Sequence, residues 1–170
     1  MRIFNRAVDR LSAVVRVVVL LMATAIFVII VVTVITRYGF NYVLSWSEEV
    51  PRYLLIWISF LGAAACVDLR DHIAVDYFYR RFSDRVRRAV QFLINAGIFA
   101  FGWIMLLYGV RFVQAFGGDF MESIPFTNIW YYTALPVSGG LLMLYSLRDQ
   151  LNLWFGADRR LEHDPGHAAA

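Results

Sequence analysis

The sequence predicts an all-α integral membrane protein with four transmembrane helices and short interfacial amphipathic helices. Of its 170 residues, 60% are hydrophobic and 17% are charged, whereas a typical soluble domain is about half apolar and about a quarter charged. The apolar residues gather into four long runs that contain no charge. This composition excludes disorder as a description of the whole chain, because disorder requires low hydrophobicity and high charge.

The four runs are long enough to cross a bilayer, whose hydrocarbon core of about 30 Å takes about 20 residues of helix. The second charge-free run is short, and we extend it at both ends, with Arg52 reaching the interface along its apolar stem. Pro136 is expected to kink the fourth span near its middle, because proline removes a backbone donor. In chain order, the predicted spans are residues 17–36, 50–69, 89–110 and 123–147.

Arginine placement predicts the orientation of these spans. All 16 basic residues are arginine, and 13 of them lie before the first span, between the second and third, or after the fourth. Basic residues in short flanking segments stay on the cytoplasmic side, so both termini are predicted to be cytoplasmic. The net charge of +3 is then explained by membrane-flanking residues, and nucleic acid is not an expected partner.

Short amphipathic helices are predicted beside the spans. Residues 3–15 and 73–82 place apolar side chains at helical spacing, with charges on their other faces. Residues 44–50 contain a serine and a glutamate three positions apart, which is a capping-box pattern. Pro51 follows and suits the first turn of the next helix.

The chain is expected to form one membrane domain over residues 1–155. Residues 156–170 are small and polar, and we expect a disordered cytoplasmic tail there. The single cysteine, Cys66, lies inside an apolar run, so neither a disulfide framework nor a paired-cysteine metal site can form.

Catalytic and ion-conducting chemistry has little support in this sequence. No Asp, Glu, Lys, Arg or His residue lies inside an apolar run, although such residues mark ion and proton pathways in membranes. The three histidines lie outside those runs, which removes axial ligands for an intramembrane haem. No nucleophile elbow, zinc-helix or phosphate-loop motif occurs. We therefore expect no enzyme activity, no cofactor and no metal.

One acidic cluster follows the second span and allows two interpretations. Asp68, Asp71, His72 and Asp76 combine carboxylates with an imidazole, as several divalent metal sites do. The simpler interpretation is a solvated helix exit in which Arg70 serves as counter-charge. We favour the solvated exit.

Small residues indicate where helices approach closely, since apolar area alone does not drive association in lipid. Positions 62–66 are all small, Ala96 and Ala100 lie four residues apart, and the fourth span contains Gly139 and Gly140. These positions predict either packing within the chain or docking of another subunit.

Three segments resemble the small permease (Q-type, DctQ-like) subunit of tripartite ATP-independent periplasmic (TRAP) transporters. Residues 46–57 read WSEEVPRYLLIW, residues 60–65 read FLGAAA, and residues 70–76 read RDHIAVD. The resemblance covers about 30 residues closely, and the four-span plan with a proline in the fourth span extends it. Pro51 departs from the usual pattern.

The resemblance implies a bacterial or archaeal inner-membrane complex. In that family, the small subunit scaffolds a large multi-span permease subunit, which carries the substrate and sodium sites. A periplasmic substrate-binding protein delivers an organic acid, and membrane lipid surrounds the complex. The residues that the resemblance implies as an interface motif are Trp46, Glu48, Glu49, Arg52, Trp57, Gly62, Arg70, His72 and Asp76.

Two alternatives remain open at this point. Glu48 and Arg52 are spaced to form a local helical ion pair worth a few tenths of a kcal/mol, which would explain them without a partner. The whole chain, in turn, could be a stand-alone four-span assembly factor or a homo-oligomeric channel.

Overall fold

The computed structural model describes residues 2–69, 84–121 and 125–154, and these ranges are helical apart from their connections and one isolated β-bridge. The predicted all-α class is therefore confirmed. The elements are α1 (Arg2–Gly39), a 3-10 turn (Ser45–Ser47), α2 (Glu49–Leu69), α3 (Asp84–Phe116), α4 (Ile129–Tyr132) and α5 (Ala134–Trp154).

Three helices in the described ranges are long and apolar enough to cross a membrane. Their candidate spans are Ile3–Gly39, Ser45–Asp68 and Ala89–Phe116, and they include the first three charge-free runs of the sequence. Helix α5 has 21 residues, a length of about 31 Å, but its last turns include Arg148 and Asp149. Its role as a fourth span stays a prediction.

The fourth predicted span, 123–147, does not form one helix. It divides at Thr133 into α4 and α5, so the kink expected at mid-length from Pro136 is wrong. Pro136 instead lies in the first turn of α5, where a missing backbone donor leaves no helical hydrogen bond unmade. The proline therefore marks the start of a helix.

Helix α1 runs without interruption for 38 residues, about 57 Å. The amphipathic stretch 3–15 is its first part and does not form a separate surface helix. The helix ends at Gly39, and Asn41 adopts a left-handed conformation with φ of 55°, a backbone state that asparagine tolerates better than most residues. The chain then turns towards α2.

The connection to α2 also differs from the expected short helix at 44–50. It forms a single 3-10 turn whose N-cap, Leu44, makes no side-chain capping bond. The hydroxyl of Ser47 instead donates to the Leu44 carbonyl oxygen at 2.8 Å. Pro51 lies in the first turn of α2, as predicted.

The helices pack in the order α1, α2, α5 and α3. Helix α2 contacts α1 on one side and α5 on the other, and the most extensive contact is between α5 and α3. The two ends of this bundle are called here the loop end, with the α1–α2 connection, and the terminal end, where α1 begins and α5 ends. The buried residues of the shared core are Val8, Val15, Leu61, Ala64, Ala65, Met105, Leu141, Leu142 and Tyr145.

Two glycines bring α3 and α5 into backbone contact. A Cβ at Gly102 would lie 2.9 Å from the Gly139 carbonyl oxygen, and one at Gly139 would lie 2.8 Å from the Gly102 carbonyl oxygen. Helices approach this closely only where side chains are absent. Of the small residues singled out from sequence, Gly139 packs internally, whereas Ala96 and Ala100 are exposed.

Candidate functional site

The motif residues of the loop end separate into buried and exposed groups. Glu48 is the C-cap of the 3-10 turn and its carboxylate accepts a hydrogen bond from Arg37 of α1 at 2.6 Å. Because α2 begins only at Glu49, Glu48 does not pair with Arg52 as the local alternative required. Arg52 is exposed on the first turn of α2.

Glu49 faces the interior of the chain, in contrast to its neighbour. It is 7% exposed, and its carboxylate accepts a hydrogen bond from the Tyr53 hydroxyl one turn later. Trp46 is 40% exposed within the 3-10 turn. The paired glutamates therefore contact different neighbours. The exposed motif side chains at the loop end are Trp46, Glu48 and Arg52, and of these Glu48 is ion-paired with Arg37.

Trp57 joins α2 to α4 through its indole, whose Nε1 donates to the Trp130 carbonyl oxygen at 3.0 Å. Nearby, the rings of Tyr53 and Tyr131 stack with centroids 4.5 Å apart. The sequence pattern identified Trp57 as a motif residue but did not reveal this aromatic contact. The contact holds α4 over the loop end of α2.

The remaining motif residues give less structural information. A Cβ added to Gly62 would have no atom within 4 Å, so this glycine does not mediate a close helix contact within the chain. Arg70, His72 and Asp76 lie outside the described residues, as do the predicted helix 73–82 and the tail 156–170.

The terminal end contains a buried charged group that sequence reasoning missed. The side chains of Asp68 and Arg148 are only 7% and 9% exposed, and Arg148 Nη2 lies 2.8 Å from Asp68 Oδ1. Arg16 of α1 lies 3.3 Å from the other oxygen, Oδ2. The Ser12 hydroxyl donates to that same oxygen and accepts a hydrogen bond from Arg16 at 2.8 Å.

Arg148 also contacts two further acids. Its Nη1 lies 3.2 Å from Asp9 of α1, and its Nε lies 3.3 Å from the neighbouring Asp149. We call the five residues Asp9, Arg16, Asp68, Arg148 and Asp149 the Arg148 cluster. Burial of an arginine is tolerated only when acids compensate its charge, and here they come from three helices. The cluster therefore fixes α1, α2 and α5 to one another.

Sequence reasoning placed Asp68 in a solvated helix exit, and that interpretation is wrong. Asp68 is separated from Arg16 by 52 residues, and no local sequence pattern predicts that two such distant residues form an ion pair. Within the described ranges, no three His, Cys, Asp or Glu residues are grouped to hold an ion. Asp71, His72 and Asp76 lie outside those ranges, so the metal interpretation is not tested.

Several polar side chains of α3 and α5 at membrane depth turn towards the interior of the chain, whereas Thr24 of α1 and Ser59 of α2 are exposed. Gln91 and Asn95 of α3 and Ser138 of α5 are buried. Ser138 donates to the Ala134 carbonyl oxygen at 2.7 Å, and Ser146 donates to the Asn95 carbonyl oxygen at 2.5 Å. These groups serve contacts within α5 and between α5 and α3.

Large apolar side chains cover the outward surface of α1 and α3. In α1, no part of the most apolar 18-residue stretch is buried within the chain. In α3, 22% of the corresponding stretch is buried. Leu20, Phe27, Leu93 and Phe101 are more than half exposed. This surface requires lipid or another membrane helix, because water would solvate it poorly.

Comparisons with known proteins relate this chain to a transporter family. The family model described as "Tripartite ATP-independent periplasmic transporters, DctQ component" matches residues 26–156. The chain is 20% identical over 118 residues to the sialic acid TRAP transporter small permease protein SiaQ of Vibrio cholerae, an alignment that covers 69% of this chain and 68% of that protein.

Two longer proteins are similar over part of their length. The chain is 25% identical over 128 residues to the sialic acid TRAP transporter permease protein SiaT of Haemophilus influenzae, covering 74% of this chain and 20% of SiaT. It is also 25% identical over 107 residues to the isethionate TRAP transporter permease protein DctMQ of Oleidesulfovibrio alaskensis. That alignment covers 61% of this chain and 17% of DctMQ. The chain thus spans at most a fifth of either protein.

Proposed function

We propose, since this chain belongs to the DctQ family of small permease components of TRAP transporters, that it scaffolds the large transport subunit of a sodium-coupled, binding-protein-dependent organic-acid uptake system. Membership makes the chain a multi-pass membrane protein and a transporter component, not an enzyme. The scaffold role, the sodium coupling and the substrate class are the proposal.

The observation that carries the scaffold role is the arrangement of polar and apolar side chains. Moving an organic anion across a bilayer requires positive or dipolar groups along its path. Here Gln91, Asn95 and Ser138 are buried, and the charge-free runs supply no cation. What α1 and α3 present instead is apolar surface, which suits contact with another membrane protein.

The proposed partners are a large multi-span permease subunit, a periplasmic substrate-binding protein and membrane lipid. Support comes from the similarity to SiaT and DctMQ, of which this chain matches only a minor part. Their names concern sialic acid and isethionate, a carboxylic acid and a sulfonic acid. An organic anion is therefore the substrate class that we propose for the complex.

Transport by the complex is tested in liposomes with an imposed sodium gradient. The purified chain alone should accumulate neither labelled sialic acid nor labelled isethionate above protein-free liposomes. Affinity purification from native membranes should recover a large TRAP permease subunit, identified by mass spectrometry, in stoichiometric amount. Sodium-driven uptake by the chain alone, or recovery of the chain without any large permease, would contradict the scaffold role.

The proposed interface includes the exposed part of the loop-end motif. Arg52→Glu should reduce recovery of the large subunit while leaving membrane insertion intact, because it reverses a charge next to Glu48 and Glu49. Arg111→Glu is the matched control, since Arg111 is exposed at the loop end of α3. Equal recovery with both variants would remove Arg52 from the interface.

We also propose that both termini face the cytoplasm of a bacterial or archaeal cell, so that the loop end faces the periplasm. The arginine distribution supports this orientation. Reporter fusions after Ala157 should report cytoplasm, and fusions after Tyr42 and Gly118 should report periplasm. The opposite pattern would show that the proposed membrane orientation is reversed.

A further inference from the structure

The first four turns of α1 have two faces of different character. Val8, Ser12 and Val15 are buried against the rest of the bundle. At helical spacing, Arg6 and Arg10 lie on the opposite face, and both are exposed. This outward face is continuous with an exposed apolar stripe along the rest of α1. The stripe consists of Val14, Val17, Leu21, Val28 and Ile35.

The charges on this outward face are not used by the fold. Of the charged residues in the same stretch, Asp9 contacts Arg148 and Arg16 contacts Asp68. Arg6 and Arg10, in contrast, form no ion pair within the part of the chain that the structure describes. Two adjacent positive charges are therefore left available to an external group.

Their positions along the helix place Arg10 just outside the headgroup layer and Arg6 one turn farther towards the water. Arg10 is about 10 Å of helix rise before Val17, where the charge-free run begins, and Arg6 is about 16 Å before it. The headgroup layer is about 5 to 8 Å thick on each side, and arginine extends its guanidinium along an apolar stem. Val14, 58% exposed, lies between Arg10 and the span and can contact acyl chains.

We propose that the outward face of Arg6, Arg10 and Val14 is a binding site for an anionic phospholipid. The guanidinium groups bind the phosphate and the charged headgroup, because arginine forms forked hydrogen bonds with phosphate oxygens. Val14 packs against the upper acyl chain. The proposal depends on insertion of α1 into a membrane and does not depend on the transport role of the complex.

Continuity with the apolar stripe of the span favours lipid over a protein segment. A lipid has its anionic group at one fixed depth and its chains directly beside it, which is the order of Arg10 and Val14 along this face. An acidic segment of a partner protein could bind Arg6 and Arg10 without any apolar contact beside them. Such a segment is the alternative ligand that the test distinguishes from lipid.

Native mass spectrometry of the full chain in detergent tests the proposal by titration with phosphatidylglycerol and with phosphatidylcholine. The wild-type chain should retain phosphatidylglycerol preferentially at low ionic strength. Each arginine near an anionic surface contributes about a fivefold preference, so Arg6→Gln/Arg10→Gln should reduce the preference by about thirtyfold. The preference should also fall as salt is raised, since exposed charges are screened.

Three controls keep the result interpretable. Arg111→Gln removes an exposed charge at the opposite end and should leave the preference unchanged, whereas Arg6→Gln or Arg10→Gln alone should each lower it by about fivefold. Arg6→Lys/Arg10→Lys keeps both charges and should retain most of the preference. Equal phosphatidylglycerol retention by wild type and the double Gln variant would overturn the proposal. In a parallel affinity purification from native membranes, a double Gln variant that loses the large subunit but keeps its preference for phosphatidylglycerol would also overturn the proposal and would assign the face to protein.

Discussion

Replacing Arg148 with glutamine should destabilise the protein far more than any other single loss of an arginine charge at the terminal end. The substitution leaves Asp68 and Asp149 buried, with side chains only 7% and 6% exposed. Among the residues that the structure describes, Arg16 then remains as the one basic contact of Asp68, at 3.3 Å. Breaking a buried ion pair from one side costs about 3 to 5 kcal/mol, and we expect about 3 because Arg16 gives partial compensation.

Two further variants set the scale for that loss. Arg16→Gln should cost about 1 kcal/mol or less, because the Arg16 side chain is 41% exposed and exposed pairs contribute little. Asp68→Asn should cost about 1 to 3 kcal/mol, since Arg148 keeps two acids but one buried contact is lost. In the double variant Arg148→Gln/Asp68→Asn, the cost should be smaller than the sum of the two single costs by about 1 to 3 kcal/mol.

The assay is equilibrium unfolding in mixed micelles as the SDS fraction increases, followed by circular dichroism. Arg111→Gln, at the opposite end of the bundle, is the control for a general effect of charge on micelle binding. If Arg148→Gln loses no more free energy of unfolding than Arg16→Gln, the cluster does not hold α1, α2 and α5 together. Additive single costs would likewise show that Arg148 and Asp68 are uncoupled.

Four further substitutions have defined outcomes in the same assay. Gly102→Ala should cost about 1 to 3 kcal/mol, because its Cβ would meet a backbone oxygen of α5 at 2.9 Å, whereas Gly97→Ala, with open space around it, should be neutral or slightly stabilising. Trp57→Phe should cost about 1 kcal/mol, since it removes the bond to the Trp130 carbonyl; no change would mean that solvent replaces this bond. Arg37→Gln should change stability by less than about 1 kcal/mol, because both partners of its ion pair are exposed; a larger loss would show that this pair anchors α1.

The long helices were predictable because their causes are local. A charge-free apolar run sets the position of a span whatever lies around it, and this was sufficient for α1, α2 and α3. Pro51 at the start of α2 was predictable for the same reason. The start of α5 was not, because both a kink and a helix start are compatible with Pro136, and only the break at Thr133 decides between them.

The site could be predicted only where its contacts are close in sequence. The motif residues were found as a pattern, but the different environments of Glu48 and Glu49 depend on where α2 begins relative to α1. The contact between Asp9 and Arg148 joins residues 139 positions apart. Each partner looks like an ordinary flank of a span, so sequence alone gives no reason to pair them.

The Arg148 cluster also imposes an order on biosynthesis. Asp9, Arg16 and Asp68 are synthesised with the first two helices, whereas Arg148 lies near the end of α5. Until the ribosome has produced that last helix, Asp68 has only Arg16 as a basic contact within the cluster, and Asp9 lacks the arginine that it contacts in the finished fold. The nascent chain therefore completes this junction only after α5 has been made, and a ribosome stalled before residue 148 would hold a bundle without the contacts of Arg148 to Asp9 and Asp68.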